Sequence, residues 1–310
     1  MFNSYRVSDM VTSQNIQAQA IAIATGRGSY TQRLEDLVYM LKIPTQEAIR
    51  LLDTYKPAKT PKTPKDVTFG VEIECYNVDR YALINAVRAQ GVEIQSEGYN
   101  HRDNDHYYKI VHDGSLIGDN SCEVVSPILK GNDGKKSLKA VCSALVEVGA
   151  KVNKSCGLHI HLDAKNMTIQ QWRNVIINYA RLETMIDGFM PKSRRGNNNC
   201  FCRSVSLMPR LEATILHCNS VDEIARYFAT RYMKINVEAY SRHKTIEFRQ
   251  HGGSVEYAKI EKWLSFLQKL LAYSKNNTIE NCASIDEIPF LNNTEKAYFK
   301  ARTAHFATMQ

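Results

Sequence analysis

The amino-acid sequence predicts an α+β protein in which a curved, mainly antiparallel sheet is backed by helices. Short runs with polar–apolar alternation, the period of a strand with one buried face, recur between longer runs with helical spacing. The segment HDGSL, residues 112–116, places an Asp-Gly pair between two strand-like runs, which is typical of a β-hairpin turn. Strands joined by such turns pair in the antiparallel sense, so strands and helices are expected to share one domain.

The composition is that of an ordinary globular protein of 310 residues, with 44% hydrophobic and 23% charged residues. No apolar run reaches the length of a membrane span, and no signal-peptide pattern follows Met1. Eight cysteines without regular spacing do not indicate a disulfide framework, so a reduced, cytoplasmic protein is expected. A net charge of +8 suits a nucleic acid, a nucleotide or an acidic substrate as partner, but it also occurs in proteins that bind none of these.

The first 55 residues predict a small helical segment. Apolar residues at i, i+3, i+4 and i+7 indicate its first helix: Leu34, Leu37, Val38 and Leu41. Ser29 with Gln32 has the capping-box pattern, and Thr45 is expected to begin a second helix.

Residues 56–65 read KPAKTPKTPK, and such charged, proline-rich stretches are extended linkers. We therefore expect a domain boundary here, between the helical segment 1–55 and a main domain 66–310. Two helices beside a basic linker make a nucleic acid or another macromolecule a candidate partner of the segment. Docking on the main domain is the alternative.

Beyond the linker the pattern mixes strands with helices. The predicted strands lie near 67–76, 92–99, 106–112, 121–126, 157–163 and 244–250. The predicted helices lie near 80–90, 135–149, 168–189, 220–230 and 254–274.

Several of these strands carry side chains of ligand type at alternate positions. They occur in FGVEIECY, CEVVSP, CGLHIHLD and TIEFRQH, and the residues are Glu72, Glu74, Glu123, His159, His161, Glu247 and Arg249. Residues i and i+2 of a strand point to the same face, so adjacent carboxylates would repel unless a cation lay between them. Carboxylates with an imidazole suit Mg²⁺ or Mn²⁺, and an arginine suits a phosphate. A strand with one face merely exposed to solvent also shows polar–apolar alternation, but Lys, Thr and Ser usually dominate such a face.

The motifs FGVEIE, DGSL, EVVSP, CGLHIHLD and TIEFRQHGGS, in this order, resemble the amidoligase family, which is related to glutamine synthetase and glutamate–cysteine ligase. The resemblance covers residues 66 to 275. It implies a sheet of glutamine-synthetase type and an ATP-dependent carboxylate–amine ligase that forms an acyl phosphate. The loop PKSRRGNNNCFC, residues 191–202, resembles the family's basic loop, although Phe201 and an additional asparagine depart from the pattern.

The resemblance also implies roles for individual residues. The implied metal ligands are Glu72, Glu74, Glu123, His159 and Glu247. The implied ATP-binding residues are His161, Arg194, Arg195 and Arg249, of which His161, Arg195 and Arg249 are also expected to be catalytic. The cofactors would be ATP and Mg²⁺, with Mn²⁺ as an alternative, and the substrates would be a carboxylate and an amine of unknown identity. The loop SRRGNNN, residues 193–199, is expected to close over the site.

Two other function classes remain open at this point, and so does the role of Asp113. The His-x-His pair also occurs in metal-dependent hydrolases, although Ala164 and Lys165 follow where a further ligand would stand. A non-enzymatic nucleic-acid-binding protein would use the basic charge and the helical segment. Asp113 is either a simple turn residue or a residue that orients the amine.

Overall fold

A computed structural model describes Ala20, Ile23 and residues 30–54, 67–98 and 104–309. The chain divides into two compact units, Met1–Thr60 and Pro61–Gln310. The predicted linker, 56–65, lies outside the described residues, as does Ser29 of the predicted capping box.

The first unit contains the two predicted helices. Helix α1 (Tyr30–Glu35) continues as a π-helical stretch, Asp36–Met40, and helix α2 spans Thr45–Thr54. Among the described residues its buried core consists of Ala20, Leu37, Ala48 and Leu52.

The second unit contains an eight-stranded sheet. Its strands are β1 (Thr68–Cys75), β2 (Ile94–Ser96), β3 (Tyr108–Val111), β4 (Cys122–Val125), β5 (Leu129–Lys130), β6 (Gly157–Asp163), β7 (Ile235–Asn236) and β8 (Thr245–Gly252). Its helices are α3 (Arg80–Ala89), α4 (Gly131–Glu147), α5 (Ile169–Gly188), α6 (Leu211–His217), α7 (Val221–Phe228), α8 (Ala239–His243), α9 (Tyr257–Ser274) and α10 (Asn293–Thr308).

The strand order is β2-β3-β4-β1-β6-β8-β7, and β5 also pairs with β1. The described pairings are antiparallel except for β2 with β3, which is parallel. The predicted α+β class with a mainly antiparallel sheet is therefore confirmed. The predicted strands and helices are all present, whereas β5, β7, α6, α8 and α10 have no counterpart among the predicted ranges.

One face of the sheet packs against helices. Helix α9 contacts α4, α5 and β6, and apolar residues of the strands are fully buried there, including Ile73, Ile160 and Phe248. Burial of each such side chain stabilises the fold by about 1.5–3 kcal/mol. Because strand side chains alternate, the ligand-type residues between these apolar positions face the opposite side.

Strand β8 contains a bulge in its pairing with β6. Leu158 pairs with His251 and Ile160 pairs with Phe248, so β8 has one residue more than β6 between these pairs. As a result Gln250 and His251, although consecutive, both contact the helical side. Gln250 donates to Asp187 of α5, and the ring of His251 lies 5.8 Å from that of Trp263 in α9.

The carboxy-terminal helix α10 is anchored to the rest of the second unit. Lys269 of α9 donates to both carboxylate oxygens of Glu295, each at 2.6 Å. The Phe299 ring lies 4.6 Å from that of Phe189, and Nε of Arg302 donates to the Phe189 carbonyl at 2.9 Å.

The Asp-Gly segment does not form the predicted tight hairpin. Residues 112–121 connect β3 to β4, and Asp113 accepts a hydrogen bond from the Ser115 amide at 2.7 Å. The connection is longer because it is tied to the turn before β6: the Ile117 amide donates to Oγ of Ser155, and Nδ2 of Asn153 donates to the Ile117 carbonyl.

None of the described helices combines the length and the apolar character that a membrane span requires. All eight cysteines are free thiols.

Candidate active site

The ligand-type residues of four strands lie together on the face of the sheet opposite the helices. Neighbouring strands bring them side by side as three register pairs: Glu72 with His159, Glu74 with Glu123, and His161 with Glu247. The predicted set converges because β4, β1, β6 and β8 are consecutive in the sheet.

Glu72 is shared by both histidines of the His-x-His pair. Its Oε2 atom lies 2.9 Å from Nδ1 of His159, and its Oε1 atom lies 3.2 Å from Nε2 of His161. Nδ1 of His161 is hydrogen-bonded to Oγ1 of Thr245 at 2.9 Å, which fixes the orientation of the ring. His161 therefore turns its Nε2 atom toward the carboxylates.

Glu247 connects the histidines to an arginine. Its Oε1 atom lies 2.5 Å from Nη1 of Arg249 and 3.6 Å from Nδ1 of His159. Its Oε2 atom accepts a hydrogen bond of 2.5 Å from Nδ2 of Asn236 in β7. Asn236 is a site residue that the sequence did not reveal, because a two-residue strand has no periodicity.

A second group of carboxylates lies on the β4 side. Glu74 accepts a hydrogen bond of 2.5 Å from the Gly157 amide, and its Oε1 atom lies 3.5 Å from Nε2 of His159. Ligand atoms of Glu74, Glu123 and Asp113 lie within 4.8 Å of one another. Asp113 is thus both a turn residue and a member of the carboxylate group.

Gly157 lies where three of these side chains converge. A Cβ atom at this position would lie 2.9 Å from Nε2 of His159 and 3.2 Å from both Oε2 of Glu74 and Nη2 of Arg194. A larger residue here would therefore displace the His159 ring from its present position.

The protonation of the site follows from these contacts. Burial raises the pKa of Glu72, but its hydrogen bond with His159 and its contact with His161 outweigh burial and hold the pKa well below its ordinary value. Burial lowers the pKa of His161, but the charges of Glu247 and Glu72 outweigh burial and raise it. A proton on His161 therefore supplies part of the positive charge that the carboxylates need.

The two outer carboxylates differ. Burial raises the pKa of Glu247, but Arg249 and His161 outweigh it and lower the pKa. The pKa of Glu123 is raised well above its ordinary value, by burial and by repulsion from Glu72, Glu74 and Asp113. Glu123 thus lies where negative charge is least compensated.

Of the two adjacent arginines in the basic loop, the structure brings only Arg194 to the site. Arg194 is buried, lines the same cavity as the carboxylates, and donates from Nη2 to the Cys156 carbonyl at 2.6 Å. Arg195 points away, since its Nε donates to the Met190 carbonyl and its Nη2 to the Phe306 carbonyl. The placement of Arg195 beside the phosphates is therefore wrong in this structure, because the turn at Lys192–Arg194 directs neighbouring side chains apart.

The basic loop forms a wall of the cavity and is held by a buried charge network. Nζ of Lys234 contacts Glu183 and Asp187 of α5 at 2.8 and 2.6 Å. Asp187 accepts from the Gly196 amide, and Glu183 accepts from the Ser206 amide. These bonds fix the loop in place, in contrast to the lid expected from the sequence.

One cavity of ≈ 1020 Å³ is lined by the site's carboxylates and both histidines, together with Asn236, Arg194 and Arg249. One end carries Lys109 and Asp113, and the other carries residues of α8 such as Tyr240 and His243. Lys109 is buried, although it is charged, and faces the cavity from β3. Sequence reasoning missed Lys109 because β3 contains no second ligand-type residue.

The donor set fits divalent cations. Besides the group containing Asp113, two further triads have ligand atoms within 4.8 Å of one another: Glu72, His161 and Glu247, and Glu72, Glu123 and His159. The buried Nε2 atom of His161 lies 3.2 Å from Oε1 of Glu72 without hydrogen-bond geometry to any described residue, so this nitrogen and the carboxylate face the same space. Oxygen donors with one imidazole per triad match the preference of Mg²⁺ or Mn²⁺.

Comparison with known proteins shows to which family this chain belongs. Residues 65–271 match the family model described as "Putative amidoligase enzyme". The chain belongs to the amidoligase family. The resemblance drawn from the motifs is thereby confirmed, and the family indicates a ligase-type function for this amidoligase.

No curated protein matches this amidoligase. A solved structure titled "Crystal structure of novel glutamine synthase homolog" matches it with 10% identity and a TM-score of 0.34. That match covers 79% of this chain and 67% of the other. A likeness at this level carries no information about the chemistry.

Proposed function

We propose that this amidoligase is an ATP-dependent carboxylate–amine ligase that activates its acid substrate as an acyl phosphate. The observation that supports the proposal is the convergence of four glutamates and two histidines on one cavity, with two arginines beside them. The glutamates alone would repel a triphosphate, whereas glutamates that hold cations would bind it.

The residues that would hold the cations are Glu72, Glu74, Glu123, His159, His161 and Glu247. Bound Mg²⁺ would neutralise the β and γ oxygens of ATP and orient the phosphates for in-line transfer. Asp113 is a further candidate ligand, since it completes a triad with Glu74 and Glu123.

The reaction would proceed in two displacements. A carboxylate oxygen of the acid attacks the γ-phosphorus of ATP, and the bond to the bridging oxygen breaks with release of ADP. The amine nitrogen then attacks the acyl carbon, loses a proton, and displaces inorganic phosphate. A free carboxylate would not react in this way, because oxide is a poor leaving group.

The arginines would stabilise the charge that moves during these steps. Arg249 has a raised pKa because Glu247 and Glu72 outweigh the effect of burial, so it stays cationic. Its guanidinium, with that of Arg194, would bind phosphoryl oxygens in the manner typical of phosphate sites. The fixed basic loop would keep water from the acyl phosphate.

The test is a screen for ADP release that depends on an acid, an amine and Mg²⁺ together, with mass spectrometry of the product. We expect an amide mass in the presence of both substrates, and loss of turnover in Arg249→Met. A product that forms without ATP, or cleavage of an amide, would contradict the proposal and favour a metal-dependent hydrolase.

A further inference from the structure

Two aromatic rings lie in the cavity wall beside Arg249. The rings of Phe201 and Tyr232 are 5.3 Å apart in an edge-to-face arrangement, and both residues line the cavity. Phe201 is 42% exposed, whereas its partner lies deeper in the wall. An exposed ring at the wall of a polar cavity is a surface on which a planar group can stack.

The Phe201 amide donates to Oδ1 of Asn199 at 2.8 Å, and the chain that follows Phe201 is fixed by backbone pairing. The Arg203 amide donates to the Tyr232 carbonyl, and the Lys234 amide donates to the Arg203 carbonyl, each at 2.8 Å. The Arg249 amide in turn donates to the Lys234 carbonyl at 2.9 Å. Three chain segments are thus joined edge to edge, and the Phe201 ring is carried by a rigid part of the wall.

Arg249 connects this wall to the metal-ligand set. Its Nη1 atom pairs with Glu247 at 2.5 Å, and its Nε atom donates to the Phe201 carbonyl at 3.4 Å. The guanidinium of Arg231 lies 5.2 Å from the centre of the Tyr232 ring, so this ring already has a stacking partner. Phe201 is therefore the ring of the pair that is available to a ligand.

We infer that Phe201 is the stacking platform for the purine base of the nucleotide. The inference rests on the proposed function: cations held by Glu247 and its neighbours bind the phosphates on one side of Arg249. The nucleoside then extends to the other side, where Phe201 lies. The family resemblance assigns no role to Phe201, which departs from the family's loop pattern.

The test compares two probes that share phosphates but differ in the base, Mg·ATP and Mg·tripolyphosphate. Stacking of one base on an aromatic ring corresponds to a gain in affinity of about tenfold. We expect Phe201→Ala to raise the Kd for Mg·ATP about tenfold and to leave the Kd for Mg·tripolyphosphate unchanged, as measured by calorimetry. Phe201→Tyr should restore the affinity.

A tryptophan at this position gives an independent readout. The two natural tryptophans, Trp172 and Trp263, are buried in helices α5 and α9. In Phe201→Trp the new indole should be quenched by Mg·ATP and not by Mg·tripolyphosphate. Leu207→Ala is the matched control, because Leu207 is an exposed apolar residue of the same loop region that does not line the cavity.

The outcomes separate the two proposals. If Phe201→Ala leaves both Kd values unchanged, or raises both equally, the inference is overturned while ATP binding stands. If the wild-type protein binds neither probe, the proposed function fails and the inference fails with it.

Discussion

The Nδ1 atom of His159 lies 2.9 Å from the Oε2 atom of Glu72, and the two residues are register partners across β1 and β6. The other oxygen of this carboxylate lies 3.2 Å from His161. Glu72 is therefore held as an anion between two imidazoles, and a cation that binds there must compete with a proton on His161.

ATP should bind only in the presence of a divalent cation. The carboxylates repel the triphosphate, and cations reverse that repulsion. Calorimetry of ATP binding with Mg²⁺, with Mn²⁺ and with excess EDTA checks this. Cation binding should also release protons to the buffer, because the cation displaces the proton of His161. Tight ATP binding in EDTA that Mg²⁺ leaves unchanged would contradict the prediction.

Substitutions at the carboxylates should all abolish turnover but should differ in their effect on stability. Burial and repulsion from neighbouring carboxylates raise the pKa of the Glu123 carboxyl, which means that its charged form destabilises the metal-free protein. Glu123→Gln removes this carboxyl, so the EDTA-treated variant should be at least as stable as the wild type. Glu247→Gln leaves the partly buried Arg249 without its carboxylate and should lower the free energy of unfolding by about 2 kcal/mol.

Denaturant unfolding of both variants in EDTA checks this difference, with Glu72→Gln and Glu74→Gln for comparison. Equal and large destabilisation by Glu123→Gln would show that this glutamate is a structural ion-pair partner.

The alternation of residues along the long strands accounts for what could be predicted of the site. Each strand contributes its ligands from positions i and i+2, a local pattern that needs no knowledge of the partner strand. Glu72, His159 and Glu247 were found in this way. The pairing order that brings them together is a tertiary property, and only the family resemblance pointed to it.

The remaining site residues had no such pattern. Arg194 and Arg195 are adjacent in an irregular turn, where the sequence does not indicate which side chain points toward the cavity. In the structure only Arg194 does so. Asn236 lies in a two-residue strand, and Asp113 acquires its carboxylate neighbours only through the long β3–β4 connection. These positions depend on contacts between distant segments and not on local periodicity.

His251 should make stability depend on pH below neutrality. Burial and the charge of Arg302 lower its pKa to about 3, so it is neutral in the folded state. In the unfolded chain the histidine has a pKa of about 6.5, so as the pH falls the unfolded state binds a proton before the folded state does. The stability that the neutral His251 contributes is therefore fully present above pH 6.5 and is lost as the pH falls toward 3, on the order of 5 kcal/mol in all.

The check is the free energy of unfolding of the wild type and of His251→Gln between pH 4 and 7. The variant should show a shallower decline at acid pH, since glutamine does not titrate. Parallel curves for the two proteins would contradict the lowered pKa.

A chain that begins at Asp66 should fold and should retain Mg²⁺-dependent ATP binding. All the proposed ligands lie in the second unit. The first unit has a separate hydrophobic core, which includes Leu37, Ala48 and Leu52. Thermal melting and calorimetry check this. Aggregation, or melting far below the full-length protein, would show that the two units fold as one and would refute the predicted two-part organisation.

The bulge in β8 places two consecutive polar side chains on the helical side of the sheet. Up to Arg249 the alternate residues face the cavity, but after the extra residue His251 faces the helices and accepts a hydrogen bond from Arg302 at 3.3 Å. Deletion of Gln250 would restore strict alternation, and His251 would then follow Arg249 directly and stay on the helical side. The deletion would remove only the buried amide of Gln250, which donates to Asp187 and accepts from Tyr179. The bulge thus adds one polar attachment between the sheet and helix α5 without moving any ligand of the cation-binding face.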